Sequence, residues 1–148
     1  MNIIKKLVLT VIFIAGISGC SDSESDNISG NNDNSLGCEV IMFDIELDER
    51  EMQSEFTIEN AVKCNGSSNV NVSFTGENAK YFLVNNKSEL SYNLNNGVNQ
   101  GNSLNLTFST SPEADTMQET ISSTIILKIS NYSTMKKFNQ EYAITRLK

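Results

Sequence analysis

The sequence predicts an all-β domain, and two observations support this prediction. Apolar and polar residues alternate with a period of two along most of the chain after residue 38, whereas helical spacing does not recur. Turn-forming glycine, asparagine and serine residues separate the alternating segments, as they do between short strands. Because the 111 residues from Cys38 to Lys148 match the usual length of one domain, we expect a single domain there.

The first half of this domain contains five predicted strand segments. Gly76 ends the third segment, and Asn95-Asn96-Gly97 after the fifth is a hairpin-type turn signal. We expect the apolar residues of each segment to face the core. These residues are Phe43, Ile45 and Leu47; Phe56, Ile58, Val62 and Cys64; Val70, Val72 and Phe74; Tyr81 to Val84; and Leu90, Tyr92 and Leu94.

The second half contains three further segments. Leu104, Leu106 and Phe108 alternate until Ser111-Pro112-Glu113 breaks the pattern. Ile121 to Ile129 is the most β-branched stretch of the chain and is typical of a central strand. The last segment contains Phe138, Tyr142 and Ile144. About eight short strands joined by turns predict a β-sandwich of immunoglobulin-like type.

Composition excludes several classes of function. The chain has 11 basic and 18 acidic residues, a net charge of −7, which argues against nucleic acid as a partner. It has no histidine, which removes histidine general bases, histidine metal ligands and Ser-His-Asp triads. We expect no cofactor and no metal.

An acidic cluster is the one feature that suggests chemistry. Paired carboxylates or a Ca²⁺ site are the functional interpretations. Alternation instead places Asp44, Glu46 and Asp48 on the solvent face of one strand, where carboxylates are usually hydrated, so we expect no catalytic residues. The cluster comprises Asp44, Glu46, Asp48, Glu49, Glu51 and Glu55.

The N-terminus has the zones of an export signal. Lys5 and Lys6 precede an apolar run from Leu7 to Ile14, which is too short to span a membrane. The run ends at Ile17-Ser18-Gly19-Cys20, which resembles the lipobox of bacterial lipoproteins. That resemblance implies cleavage of residues 1–19 and a lipid on Cys20. The alternative is an ordinary secretory signal, which would leave Cys20 as a free thiol.

The resemblance also implies a location in the cell envelope. In such lipoproteins the residue after the lipidated cysteine helps to sort between membranes, and Ser21 favours the outer membrane over the inner one. Ser21 to Gly37 is rich in serine, asparagine and aspartate, so we expect residues 20–37 to form a disordered tether. With Cys20 assigned to lipid, Cys38 and Cys64 remain, and in an oxidising compartment we expect them to form a disulfide.

The domain from residue 38 to about 132 resembles the pilin fold of chaperone–usher fimbrial subunits. In that family a first-strand cysteine bonds to a second-strand cysteine, which precedes an alternating strand that ends in glycine. Here Cys38-Glu39-Val40 opens the domain, and Cys64 precedes the segment from Asn65 to Gly76. The resemblance implies a pilin-like immunoglobulin fold and a disulfide between Cys38 and Cys64.

The chain departs from that family at both ends. The polar stretch Ser21–Gly37 stands where family members carry an apolar donor strand for the next subunit. The chain also continues for 17 residues past Asn131, where family members leave an open groove. Our hypothesis is that Phe138, Tyr142 and Ile144 belong to an internal final strand that closes the sandwich. The alternative is an edge strand or a frayed end.

Together these features predict a non-enzymatic, membrane-anchored envelope lipoprotein that acts in fimbrial assembly, anchoring or adhesion. Its expected partners are the membrane, through Cys20, and fimbrial assembly proteins or subunits. The alternative is a stand-alone surface lipoprotein that binds or masks another envelope protein or a host ligand. Its contact surface would be the loops Asn95–Asn102 and Ser111–Thr120.

Overall fold

The structure, a computed structural model, describes residues 35–94 and 102–148. The predicted signal peptide, Cys20, most of the predicted tether and the turn Asn95-Asn96-Gly97 lie outside these residues.

Strands account for most of the described part of the chain. They follow the alternating segments, because period-two alternation gives each strand one apolar face to bury. In chain order the strands are β1 (Cys38–Val40), β2 (Ile45–Asp48), β3 (Glu55–Cys64), β4 (Ser68–Thr75), β5 (Phe82–Val84), β6 (Glu89–Leu94), β7 (Ser103–Thr110), β8 (Ile121–Asn131) and β9 (Lys136–Leu147). Short 3₁₀ turns occupy Glu49–Glu51, Ala79–Tyr81 and Pro112–Thr116.

The strands form two sheets. One has four strands in the order β1-β3-β7-β5, and the other has five in the order β2-β9-β8-β4-β6. Neighbouring strands are antiparallel, with the exception of β2 and β9, which run parallel. The sheets form a sandwich with a Cys38–Cys64 disulfide, so the predicted all-β fold and its disulfide are confirmed.

The core lies between the two sheets. Leu106 and Phe108 from the smaller sheet are fully buried, as are Ile125 and Leu127 from the larger one. Phe74 packs against the rings of Phe82 and Phe108 and links the two sheets. Each fully buried aliphatic or aromatic side chain contributes about 1.5–3 kcal/mol of transfer free energy, so this layer is the main source of stability.

The two ends of the sandwich differ. The disulfide end contains Cys38 and Cys64, which are register partners, together with Asn131 at the end of β8. The distal end is the opposite one, where β2 and β9 finish and β8 begins, as the pairing of Ile121 with Arg146 shows. All three 3₁₀ turns follow strands that end at the distal end.

Three element boundaries differ from the predicted ones. Leu36, predicted to lie in the disordered tether, is only 4% exposed and belongs to the core, so the ordered domain begins before Cys38. Phe43, predicted to face the core from a strand, precedes β2 and is 46% exposed. Tyr81 belongs to a 3₁₀ turn, and β5 begins one residue later.

Among the described residues, no helix has the length and apolar character needed to cross a membrane.

Candidate functional site

The C-terminal strand carries the three residues that the sequence singled out as a closing strand. Ile144 is completely buried, whereas Phe138 and Tyr142 are half-buried on the same face of β9. β9 pairs with β8 along its length, from Lys136 opposite Asn131 to Arg146 opposite Ile121. Over Ile144–Leu147 it also pairs with β2, so this part of β9 lies between two strands.

The rest of β9 has a strand on one side only. β2 begins at Ile45, opposite Ile144, and just before it the Asp44 carboxylate accepts a hydrogen bond of 2.8 Å from the Ala143 backbone N–H. From Lys136 to Tyr142, β8 is the only strand partner of β9 within the described residues. We call Lys136–Tyr142 the open edge.

Apolar side chains border the open edge. The connection from β1 to β2 crosses from the smaller sheet to the larger one on this side. Two of its side chains, Ile41 and Phe43, are 45% and 46% exposed. The Phe43 ring packs edge-on against Phe56, with 5.7 Å between ring centroids. Burial raises the pKa of the Tyr142 hydroxyl, and the nearby Asp44 carboxylate raises it further.

A buried arginine lies at the distal end of β9. The Arg146 side chain is completely buried, because it shares the inner face of the strand with Ile144. Its Nε donates to Glu49 Oε1 over 2.6 Å, and Lys148 Nζ donates to Glu49 Oε2 over 3.0 Å. Neither Nη1 nor Nη2 of Arg146 has a hydrogen-bond partner among the described residues.

Glu49 is therefore the carboxylate that holds the end of β9 in place. The hydrogen bond from Arg146 lowers the pKa of Glu49, and the one from Lys148 lowers it further. Glu49 belongs to the 3₁₀ turn that follows β2, so the ion pairs connect this turn to the last strand.

The acidic cluster predicted from the sequence does not converge on one point. Asp44 accepts a hydrogen bond from the Ala143 backbone in β9, and Glu49 forms ion pairs with Arg146 and Lys148. Asp48 accepts hydrogen bonds from the backbone N–H and the guanidinium of Arg50, which lower the pKa of Asp48. The other three acids are exposed, and the described residues contain no group of three or more metal-ligating side chains. Those exposed acids are Glu46, Glu51 and Glu55.

A buried amide organises the disulfide end. Asn131 is 1% exposed, and its Nδ2 donates to the Asn65 carbonyl over 3.0 Å. Its Oδ1 accepts from the backbone N–H groups of Ser133 and Thr134. Gly66 has a positive φ of 91°, and a Cβ there would lie 2.2 Å from Ser133 Oγ. The Asn131 side chain thus joins the turn after β3 to the hairpin between β8 and β9.

The two loops predicted as a contact surface flank different ends. The strands on either side of Asn95–Asn102 meet Ser68 and Lys63 at the disulfide end. Ser111–Thr120 instead joins β7 to β8 at the distal end. The two loops therefore do not form one continuous surface.

Sequence reasoning missed three of these residues. Arg146 follows Ile144 by two positions, so the alternation already placed it on the inner face of the strand. Alternation predicts that Asp44 faces the solvent, and it is exposed, but nothing in the local sequence indicates that its carboxylate accepts a hydrogen bond from a backbone N–H 99 residues away. Asn131 is the last residue of β8 and leads into a turn, where asparagine is so common that its presence does not indicate a structural role.

No protein-family model matches the chain, and a comparison with curated proteins gives no match.

Proposed function

We propose that this protein is a non-enzymatic lipoprotein of the cell envelope, anchored through Cys20, whose sandwich domain acts in fimbrial assembly, anchoring or adhesion. Three things support the proposal: the lipobox resemblance, the resemblance of the cysteine spacing and alternating segments to pilin-fold subunits, and the position of the C-terminal strand. In polymerising subunits a neighbouring subunit supplies the last strand of the sandwich, and in this proposal β9 takes the place of that donated strand.

The position of β9 is the observation that carries this proposal. Ile144 is completely buried, and the strand pairs with β8 through the register from Lys136 to Arg146. A domain that fills this position from its own chain needs no donor strand. The polar segment Ser21–Gly37 in turn offers no apolar strand to a neighbour. A subunit with both properties fits an anchoring or terminal position better than a repeating one.

Truncation tests the role of β9. Removal of residues 136–148 should expose the apolar face of β8, so the truncated protein should aggregate or be degraded during expression. The matched control is the charge-neutralised variant Lys136→Gln/Lys137→Gln, which keeps the strand and should be recovered like the wild type. A truncated protein that folds and stays monomeric would exclude self-closure.

Fractionation and co-purification test the anchor and the partners. Cys20→Ser should move the protein from the membrane fraction to the soluble fraction, because the lipid attachment site is lost. When the wild-type protein is purified from membranes, usher, chaperone or fimbrial subunits should co-purify with it. An unchanged distribution of Cys20→Ser would reject the lipid anchor.

The alternative is a stand-alone lipoprotein that binds another envelope protein or a host ligand. The closed arrangement of β8, β9 and β2 favours it, because a complete domain can act without assembly partners. The distal loop Ser111–Thr120 would be the contact surface, since it lies at the end opposite Gly37 and the tether. Replacing the exposed acids Glu113, Asp115 and Glu119 with alanine should then reduce ligand binding while leaving fimbrial partners unaffected.

A further inference from the structure

The open edge of β9 presents backbone groups that no strand satisfies within the described residues. The Ala143 N–H points away from β8, toward Asp44. Because backbone groups alternate between the two sides of a strand, the N–H and C=O groups of Lys137, Asn139 and Glu141 also point away from β8. An edge of this kind is a template for another strand.

The open edge has two fixed limits. One limit is Lys136, where β9 begins after the hairpin that follows β8. The other is Ala143, whose backbone N–H already donates to the Asp44 carboxylate. The free stretch between these limits is centred on Gln140. Its inner face carries Phe138 and Tyr142, which are both half-buried, on either side of Gln140.

From this geometry we infer that the open edge pairs with the open edge of a second copy of this chain. The two strands run antiparallel about a two-fold axis at Gln140. Asn139 of one copy then lies opposite Glu141 of the other, and about four backbone hydrogen bonds form between these pairs. On the inner face, Phe138 of each copy lies opposite Tyr142 of the other, and both aromatic pairs lose exposure.

The charges of the edge favour this occupant over an unrelated strand. Lys137 and Glu141 are exposed on the outer face of β9. In the antiparallel arrangement, Glu141 of one copy lies diagonally across from Lys137 of the other, within reach of long side chains. A lysine on an exposed edge usually discourages pairing. Here a second copy supplies an acid for each of the two lysines, and these two Lys137–Glu141 diagonals outnumber the single like-charge diagonal between Glu141 and its counterpart.

The inference goes beyond the proposed function and does not depend on it, since it uses only the geometry of β9. The larger sheet would continue from one copy into the other. The β1–β2 connection, with the exposed Ile41 and Phe43, would border the new interface.

Disulfide trapping in the full chain tests the register. In the two-fold arrangement Gln140 faces Gln140 of the second copy in a close pair, so Gln140→Cys should form a disulfide-linked dimer under mild oxidation. Lys137→Cys is the matched control. Residue 137 lies on the same edge, but in this register six residues of strand separate it from residue 137 of the second copy, a distance of about 20 Å. The Lys137→Cys variant should therefore remain unlinked. The wild-type chain, which carries Cys20 but no cysteine at residue 140, shows how much disulfide linkage arises through Cys20 alone.

Charge exchange tests the identity of the partner. Glu141→Lys and Lys137→Glu should each weaken self-association about tenfold, because two attractive cross-strand pairs become repulsive. Co-expression of the two variants with different tags should restore association, since each then supplies the charge that the other lacks. Co-purification of the tagged full-length chains measures both effects.

Several outcomes would overturn the inference. Linkage of Gln140→Cys to a different protein would assign the edge to another partner. Failure of Gln140→Cys to dimerise would reject the pairing with a second copy and would mean that the edge stays free or is covered by another segment of the same chain. Equal linkage of Gln140→Cys and Lys137→Cys, or no recovery on mixing the charge variants, would reject the two-fold register.

Discussion

Removing either partner of the buried pair between Glu49 and Arg146 should have very different consequences. Glu49→Gln deletes the charge that faces a fully buried guanidinium, whereas Arg146→Met deletes the guanidinium itself. An uncompensated buried charge is strongly unfavourable, whereas an apolar side chain of similar length in its place is often neutral or stabilising. The two substitutions therefore separate the value of the ion pair from the penalty of burying arginine.

The structure sets the expected magnitudes. Breaking a buried pair usually costs about 3–5 kcal/mol, but the Glu49 side chain is 27% exposed and water screens part of the loss. We therefore expect Glu49→Gln to lower the free energy of unfolding by about 2–3 kcal/mol. For Arg146→Met we expect a change within about 1 kcal/mol of zero, because the variant loses one hydrogen bond but also two buried amino groups without partners.

Urea unfolding of the oxidised protein measures both effects, with thermal unfolding as a second assay. For a domain of this size, the loss in Glu49→Gln corresponds to a fall in Tm of about 8–12 °C. The double variant Glu49→Gln/Arg146→Met should recover most of that loss. A loss in Arg146→Met as large as that in Glu49→Gln would refute the reasoning. It would show that the two amino groups have partners, such as buried water, that stabilise the fold.

Three further predictions concern the pH dependence of this pair and the disulfide end. Because the folded-state pKa of Glu49 lies below its ordinary value of 4.5, its contribution is complete above about pH 4.5 and disappears as the pH falls through the folded pKa. The stability difference between wild type and Glu49→Gln should therefore shrink in acid titrations followed by circular dichroism, and a constant difference would contradict the assignment. Replacing Cys38 and Cys64 with serine should lower the free energy of unfolding by about 3 kcal/mol, measured in urea against the oxidised wild type, since the closed loop spans a separation of 26 residues. Asn131→Ala should cost about 2–3 kcal/mol, because it leaves one carbonyl and two backbone N–H groups without their partner. Asn131→Asp keeps the acceptor but sets a buried carboxylate against the Asn65 carbonyl oxygen, so at neutral pH it should cost more than Asn131→Ala; a smaller loss in Asn131→Asp would contradict the contact with the Asn65 carbonyl.

The central strands were predictable from local pattern. In β4, β7 and β8, alternating residues face one buried layer, so the period of two appears in the sequence and in the structure alike. The disulfide was predictable as well, because the count of cysteines and the expected compartment left one pair.

Other features depend on contacts that are distant in sequence. Phe43 continues the alternation of Ile45 and Leu47, but the chain is crossing between sheets there, so the ring lies on the surface against Phe56. The parallel pairing of β2 with β9 follows from the closure of the sandwich and has no local signal. The burial of Arg146 conflicts with its charge, and only the position of Glu49 accounts for it.

The parallel pairing of β2 with β9 also sets the order of events in folding. Ile45 pairs with Ile144, so β2 must wait until β9 has been synthesised before its partner strand exists. A chain that emerges N-terminus first from a ribosome or a translocation channel cannot complete the larger sheet until Leu147 is free. Contacts of such long sequence separation slow folding and prolong the exposure of unpaired strands. The interval between release of β8 and docking of β9 is therefore when this protein is most vulnerable to proteases and aggregation.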